Sequence, residues 1–150
     1  MDVRPATNDD LGHLARLLRL NSALSEQELQ QDVTFEADFA SWFARCADSH
    51  TAFIAALNDE RVVGMAWVAL VPRPPGPGTL ARFSADIQTV FVEPAFRARG
   101  LGSALVRAAT DHALMKGARR VTVHSGRRAV PVYQRLGFTS TAQLMQLPAD

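Results

Sequence analysis

A chain of 150 residues with a net charge of +1, 47% of them hydrophobic and 21% charged, has the size and balance of one soluble globular domain over residues 1–150. The single cysteine, Cys46, excludes an intrachain disulfide or a cysteine-rich metal site, and no apolar run approaches the ~18–20 residues of a membrane span. The near-neutral charge disfavours nucleic-acid binding, and an N-terminus without a signal-like apolar stretch makes a cytoplasmic location the expectation.

In chain order, Val3–Ala6 is short and extended, and Thr7 or Asn8 is placed to cap a helix with Asp9 and Asp10 in its first turn. Leu11, Leu14, Ala15, Leu17 and Leu18 then recur at helical spacing as a core face. Ser25 with Glu28 forms a capping-box pattern, opening a broken helical stretch that runs to about Ala47. Within it Phe35, Phe39, Trp42, Phe43 and Cys46 recur at steps of three and four, the spacing of a core stripe, with Cys46 as a small, partly buried thiol.

The pattern turns to β at residue 51. Residues 51–57 and 61–71 flank the polar turn Asn58-Asp59-Glu60 and predict an antiparallel hairpin. Pro72, Pro74, Pro75 and Pro77 remove four backbone donors, so the sheet is expected to stop there and resume as a long strand over about Leu80–Val92. A helix follows from Leu101, with Leu105, Ala108, His112 and Met115 on one stripe and Gly117 at its end. Val121–Val123 is a short strand of the kind that pairs parallel with the strand before that helix. Residues 128–136 read as a second helix, and 138–147 as a closing strand through which a homodimer is conceivable.

Between strand and helix lies Arg97-Ala98-Arg99-Gly100-Leu101-Gly102-Ser103. Gly100 and Gly102 let a ligand approach the backbone closely, and the adjoining helix start offers unsatisfied N–H groups and partial positive charge, which suits a diphosphate. Residues 97–128 carry eight Arg or Lys against Asp111 alone, whereas residues 1–60 carry eleven acidic residues against four Arg. Leu105 stands where a dinucleotide fingerprint needs its third glycine, and no Gly-Lys-Ser/Thr follows, so Rossmann and P-loop readings weaken.

The spacing Arg97-x-x-Gly100-x-Gly102 instead resembles the pyrophosphate motif of the Gcn5-related N-acetyltransferases. Ala129-Val130-Pro131-Val132-Tyr133-Gln134-Arg135-Leu136-Gly137-Phe138 is similar to that family's A-x-x-x-Tyr-x-x-x-Gly-Phe segment, and Arg4-Pro5-Ala6-Thr7-x-x-Asp10-Leu11 to its usual opening. The resemblance implies an α/β (α+β) fold with a central, mixed but mostly antiparallel sheet flanked by helices and a splayed parallel strand pair.

The same resemblance implies acetyl-CoA as cosubstrate, no metal, and direct attack by a primary amine in a ternary complex. Its diphosphate would take the backbone of Arg97, Ala98, Arg99, Gly100, Leu101, Gly102 and Ser103, and its pantetheine arm would lie beside Val90, Phe91 and Val92. Gly126 occupies the place of an asparagine that often contacts that arm, leaving Ser125 or Arg127 to supply the contact. Tyr133 is the candidate general acid toward the thiolate, and Asp86 the candidate base, with His124 or a water held by Gln88 as alternatives. By period-two geometry, Asp86, Gln88 and Val90 share a strand face. The helices of the first fifty residues would wall the acceptor side. A small-molecule or peptide amine is the expected partner, and a non-catalytic acyl-CoA-binding module is the competing reading.

Overall fold

The computed structural model describes residues 1–149. Five strands, β1 (Asp2–Pro5), β2 (His50–Ala56), β3 (Val62–Arg73), β4 (Arg82–Val92) and β5 (Val121–Val123), lie side by side in sequence order. The first three pairings are antiparallel and the last, β4 with β5, is parallel. Five helices complete the fold: α1 (Leu11–Asn21), α2 (Glu26–Gln31), α3 (Phe35–Arg45), α4 (Leu101–Met115) and α5 (Val130–Arg135). This is the mixed sheet flanked by helices that the sequence predicts.

Side-chain alternation along the strands gives the sheet two buried faces. On one, Ile54, Met65, Trp67 and Phe91 meet Leu14 and Leu17 of α1 and Phe39 of α3. On the other, Val63, Val68, Ile87 and Val92 meet Leu101, Leu105, Ala109 and Ala113 of α4. A Cβ on Gly64 would come within 3.1 Å of Leu105 Cδ1 and 3.2 Å of Phe91 O, so its bare backbone lets α4 settle closely on β3.

Local signals act as read. Thr7 caps a 3-10 turn (Asn8–Asp10) that runs into α1, and Ser25 and Glu28 exchange the two bonds of a capping box. Asp10, 4% exposed, accepts from Arg4 Nη1 (2.8 Å) and Nη2 (3.0 Å) and from Thr7 N (2.8 Å), which locks β1 to the start of α1. Those bonds, chiefly the one from Arg4, hold its carboxyl below the ordinary range. Arg16 ties α1 to the end of β4 through Glu93 (2.7 Å).

Four expectations are corrected. Residues 138–149 form no strand, and Leu144, Met145 and Leu147 stand exposed. β5 is three residues long and offers that tail too short an edge to pair with. β3 does not stop before the prolines: Pro72 pairs with Phe83 and Arg73 with Arg82. Leu70 donates to Ser49 O, toward β2, so alternation turns Pro72 to the same side, where β2 has already ended and no donor is required. The stripe of α4 is Leu101, Leu105, Ala109 and Ala113, whereas Met115 is 88% exposed. The fourth correction concerns β4. Trp67 pairs with Thr89 and Val68 with Ile87, leaving Gln88 as an extra residue in a bulge. Val90 and Ile87 therefore pack on the α4 face, while Asp86 lies on the opposite one, and Asp86 and Val90 do not share a face.

Candidate active site

β5 accompanies β4 only across Ala85–Ile87; beyond that point the parallel pair parts. Into the gap opens a polar slot of about 270 Å³, walled by Gln88, Thr89 and Val90 of β4, by His124 and Ser125 after β5, and by Tyr133 of α5. Glu93 donates its N–H to Val63 O of β3. Alternation then directs the N–H and C=O of Val92 and Val90 away from β3, toward the gap. Arg97 Nε takes the Val92 carbonyl at 2.8 Å, and its guanidinium lies over the Phe91 ring. β4 thus has a free backbone edge at Val90.

From the slot, β4 leads to a 3-10 turn (Pro94–Phe96) and the glycine loop. Ala98 (φ 61°) and Gly100 (φ 79°) both adopt left-handed backbone, and Gly100 caps α4 without any side-chain bond. Among the described residues nothing accepts from the six consecutive N–H groups of Ala98 to Ser103, and a Cβ on Gly100 or Gly102 would meet open space. Unsatisfied donors at the positive end of a fifteen-residue helix suit an anion.

Of the residues singled out by sequence, the slot brings together Gln88, Val90, His124, Ser125, Gly126 and Tyr133, and the loop presents Arg97 to Ser103. Phe91 and Val92 are buried in the two cores and reach the site only through their backbone. Tyr133 is half-buried with its ring edge-on to Phe138 (5.5 Å), and burial pushes its phenol above the ordinary value, so it stays protonated. Asp86 accepts from Thr122 Oγ1 at 3.1 Å and lines neither cavity of the site. Ser125 is at the slot and Arg127 is not, and Asn21 at the end of α1 joins the lining. Its distance in sequence from the motifs hid its place at the slot.

A second cavity, of about 530 Å³, shares Gln88 and Thr89 with the slot and extends beneath α3, lined by Phe35, Asp38, Phe39, Trp42, His50 and Trp67. His50 Nδ1 lies 2.8 Å from Ser49 Oγ, and its ring packs edge-on to Trp42. The aromatic stripe of α3 therefore does two things: its inner side fills the core and its rim walls a cavity.

A mixed sheet whose parallel pair parts beside a run of free amides at a helix start defines the acyltransferase class of fold. Residues 15–138 match the acetyltransferase (GNAT) family, to which the chain belongs. The chain is 32% identical over 87 residues to the glucosamine 6-phosphate N-acetyltransferase of Trypanosoma brucei brucei, a match covering 58% of this chain and 57% of that relative's length. A Trypanosoma brucei acetyltransferase structure superposes with a TM-score of 0.75 at 26% identity over 98% of both chains. A predicted acetyltransferase from Clostridium acetobutylicum, solved with acetyl-CoA, shares the fold, with a TM-score of 0.74 at 16% identity over 98% of this chain and 95% of that one.

Proposed function

We propose that the protein is an N-acetyltransferase that moves the acetyl group of acetyl-CoA to a primary amine within a ternary complex. The observation that carries this reading is the continuity of β4. Its free edge at Val90 and the six unpartnered amides from Ala98 to Ser103 offer, along one chain segment, a partner for a pantetheine arm and then for a diphosphate.

The amine enters from the aromatic cavity and meets the thioester at Gln88 and Thr89, where the two cavities join. Its nitrogen bonds to the acyl carbon while the carbon–sulfur bond breaks. The Val90 N–H stabilises the oxyanion, a contact worth ~3 kcal/mol in comparable sites. Tyr133, kept neutral by its surroundings, gives its proton to the thiolate and recovers one from solvent. The ammonium proton leaves through water held by Gln88 toward Asp86, which lies two residues upstream and acts through that relay rather than by contact. The half-buried phenol at the slot favours turnover over a passive acyl-CoA-binding module, which would share the free amides but has no use for the phenol.

The test is release of CoA thiol from acetyl-CoA across primary amines, with the Cys46 background subtracted. Amine-dependent release is expected; acetyl-CoA binding without release by any amine would support the passive module instead.

A further inference from the structure

The larger cavity is a box of rings. Phe35, Phe39 and Trp42 come from successive turns of α3, and Trp67 rises from β3 beneath them. Ring centroids lie 5.6 Å apart for Trp42 and Trp67 and 6.0 Å apart for Phe39 and Trp67, edge-on contacts in which the rings pack against one another as one continuous wall of the cavity. Its volume falls within the ~300–1,000 Å³ of small-molecule sites. Among the described residues Asp38 is the one carboxylate on the lining, an exposed side chain whose Oδ2 accepts from Thr34 Oγ1 at 2.9 Å; His50 lines it too, and neither arginine nor lysine does. The neighbouring Arg19 stacks over Phe35 (5.3 Å) and gives its N–H groups to Leu29 O and Asp32 O, both at 2.9 Å. Aromatic faces beside a single carboxylate attract a single cation with an apolar body. The buried Trp67 indole N–H has no hydrogen-bond partner among the described residues.

Resting on the acetyltransferase reading, we propose that the acceptor is an arylalkylamine. A flat apolar ring lies in the cavity against the wall of Phe35, Phe39, Trp42 and Trp67, and a short chain carries the primary ammonium to Gln88 and Thr89. Asp38 draws the cation in. A sugar phosphate would bring a dianion beside the Asp38 carboxylate, to a lining with no arginine or lysine among the described residues, and a polyamine would bring more positive charge than one carboxylate offsets.

The chain has two tryptophans and both line the box, so intrinsic fluorescence reports occupancy directly. The first arm titrates 2-phenylethylamine, glucosamine 6-phosphate and putrescine separately into the protein without acetyl-CoA. A saturable response to 2-phenylethylamine alone is expected. Trp42→Ala, with Trp67 as remaining reporter, should raise its dissociation constant about tenfold, and Trp42→Phe, which keeps a ring, only about threefold. The second arm compares kcat/KM for the three amines with acetyl-CoA, where 2-phenylethylamine should lead by about 100-fold. A saturable response to glucosamine 6-phosphate or putrescine with none to 2-phenylethylamine overturns the assignment, as does unchanged affinity in Trp42→Ala. Binding of 2-phenylethylamine with no transfer to it while another amine is acetylated overturns the arylalkylamine assignment and leaves the enzyme standing, whereas acetyl-CoA binding with no transfer to any amine refutes the enzyme itself, which separates the two failures.

Discussion

Gly100→Glu separates the loop's role in binding from its role in folding. A Cβ at position 100 meets nothing within 4 Å, so the folded protein has room for the side chain. The backbone there is left-handed (φ 79°), which costs a non-glycine residue about 1–2 kcal/mol. A carboxylate at the start of α4 recovers about 0.3–1 kcal/mol from the helix dipole. The net loss of about 1 kcal/mol corresponds to about 2–4 °C in melting temperature for a chain of this size. Binding should suffer far more. One negative charge about 4 Å from a phosphate costs about 4 kcal/mol at an effective dielectric constant near 20, or about 10³ in affinity. Isothermal titration with acetyl-CoA, beside thermal melts, reads both quantities, and Gly100→Ala supplies the backbone strain without the charge. A Glu variant that melts within a few degrees of the parent and binds acetyl-CoA within about threefold would refute the diphosphate assignment of the loop.

Tyr133→Phe keeps the ring against Phe138 and removes the proton donor, so kcat should fall by at least ~10² while KM for acetyl-CoA holds; an unchanged kcat rejects the acid role. Asp86→Asn should depress the rate most at low pH, where more amine is protonated, and an equal loss at every pH would mark Asp86 as structural. Asp10→Asn removes charge-assisted bonds from a buried site, but Arg4, 41% exposed, can turn to water, so a loss of about 2 kcal/mol in denaturant unfolding is expected, and none would show the pair to be idle. Because the folded carboxyl of Asp10 titrates below its ordinary value of 3.8, that stability is present above this value and disappears as pH falls through the folded one. His112, against Phe53, is lowered from 6.5 by burial and then by Lys116, so the folded form binds fewer protons and stability declines as pH drops below about 7. His112→Gln should flatten that slope in urea titrations at pH 5.5 to 7.5; an unchanged slope would assign it elsewhere.

Local chemistry made much of the fold legible. The caps at Thr7 and Ser25, the turn at Asn58-Asp59-Glu60 and the glycine loop each depend on residues within a few positions, and each formed where the sequence placed it. What depends on a neighbouring strand was not legible. Residues 138–147 have strand character, yet a strand forms only against a partner edge, and β5 is too short to offer one. Pro72 is tolerated because β2 ends before it, a fact about another segment. Within the site, Tyr133 and Ser125 were visible from motif spacing. Asn21, Thr89 and the rim formed by Trp42 and Trp67 were not, because their meeting depends on how α1 and α3 cross the sheet.

The bulge at Gln88 gives β4 a tolerance that the rest of the strand lacks. Gln88 stands outside the ladder, so excising it would leave Trp67 opposite Thr89 and Val68 opposite Ile87. An insertion or deletion elsewhere between Arg82 and Val92 would turn every later side chain to the wrong face and set Val92 against α1 instead of α4. Length variation in β4 is therefore confined to the residue where the two cavities meet. Removing that one residue would shorten the strand and reshape the junction of acceptor and donor without repacking either core.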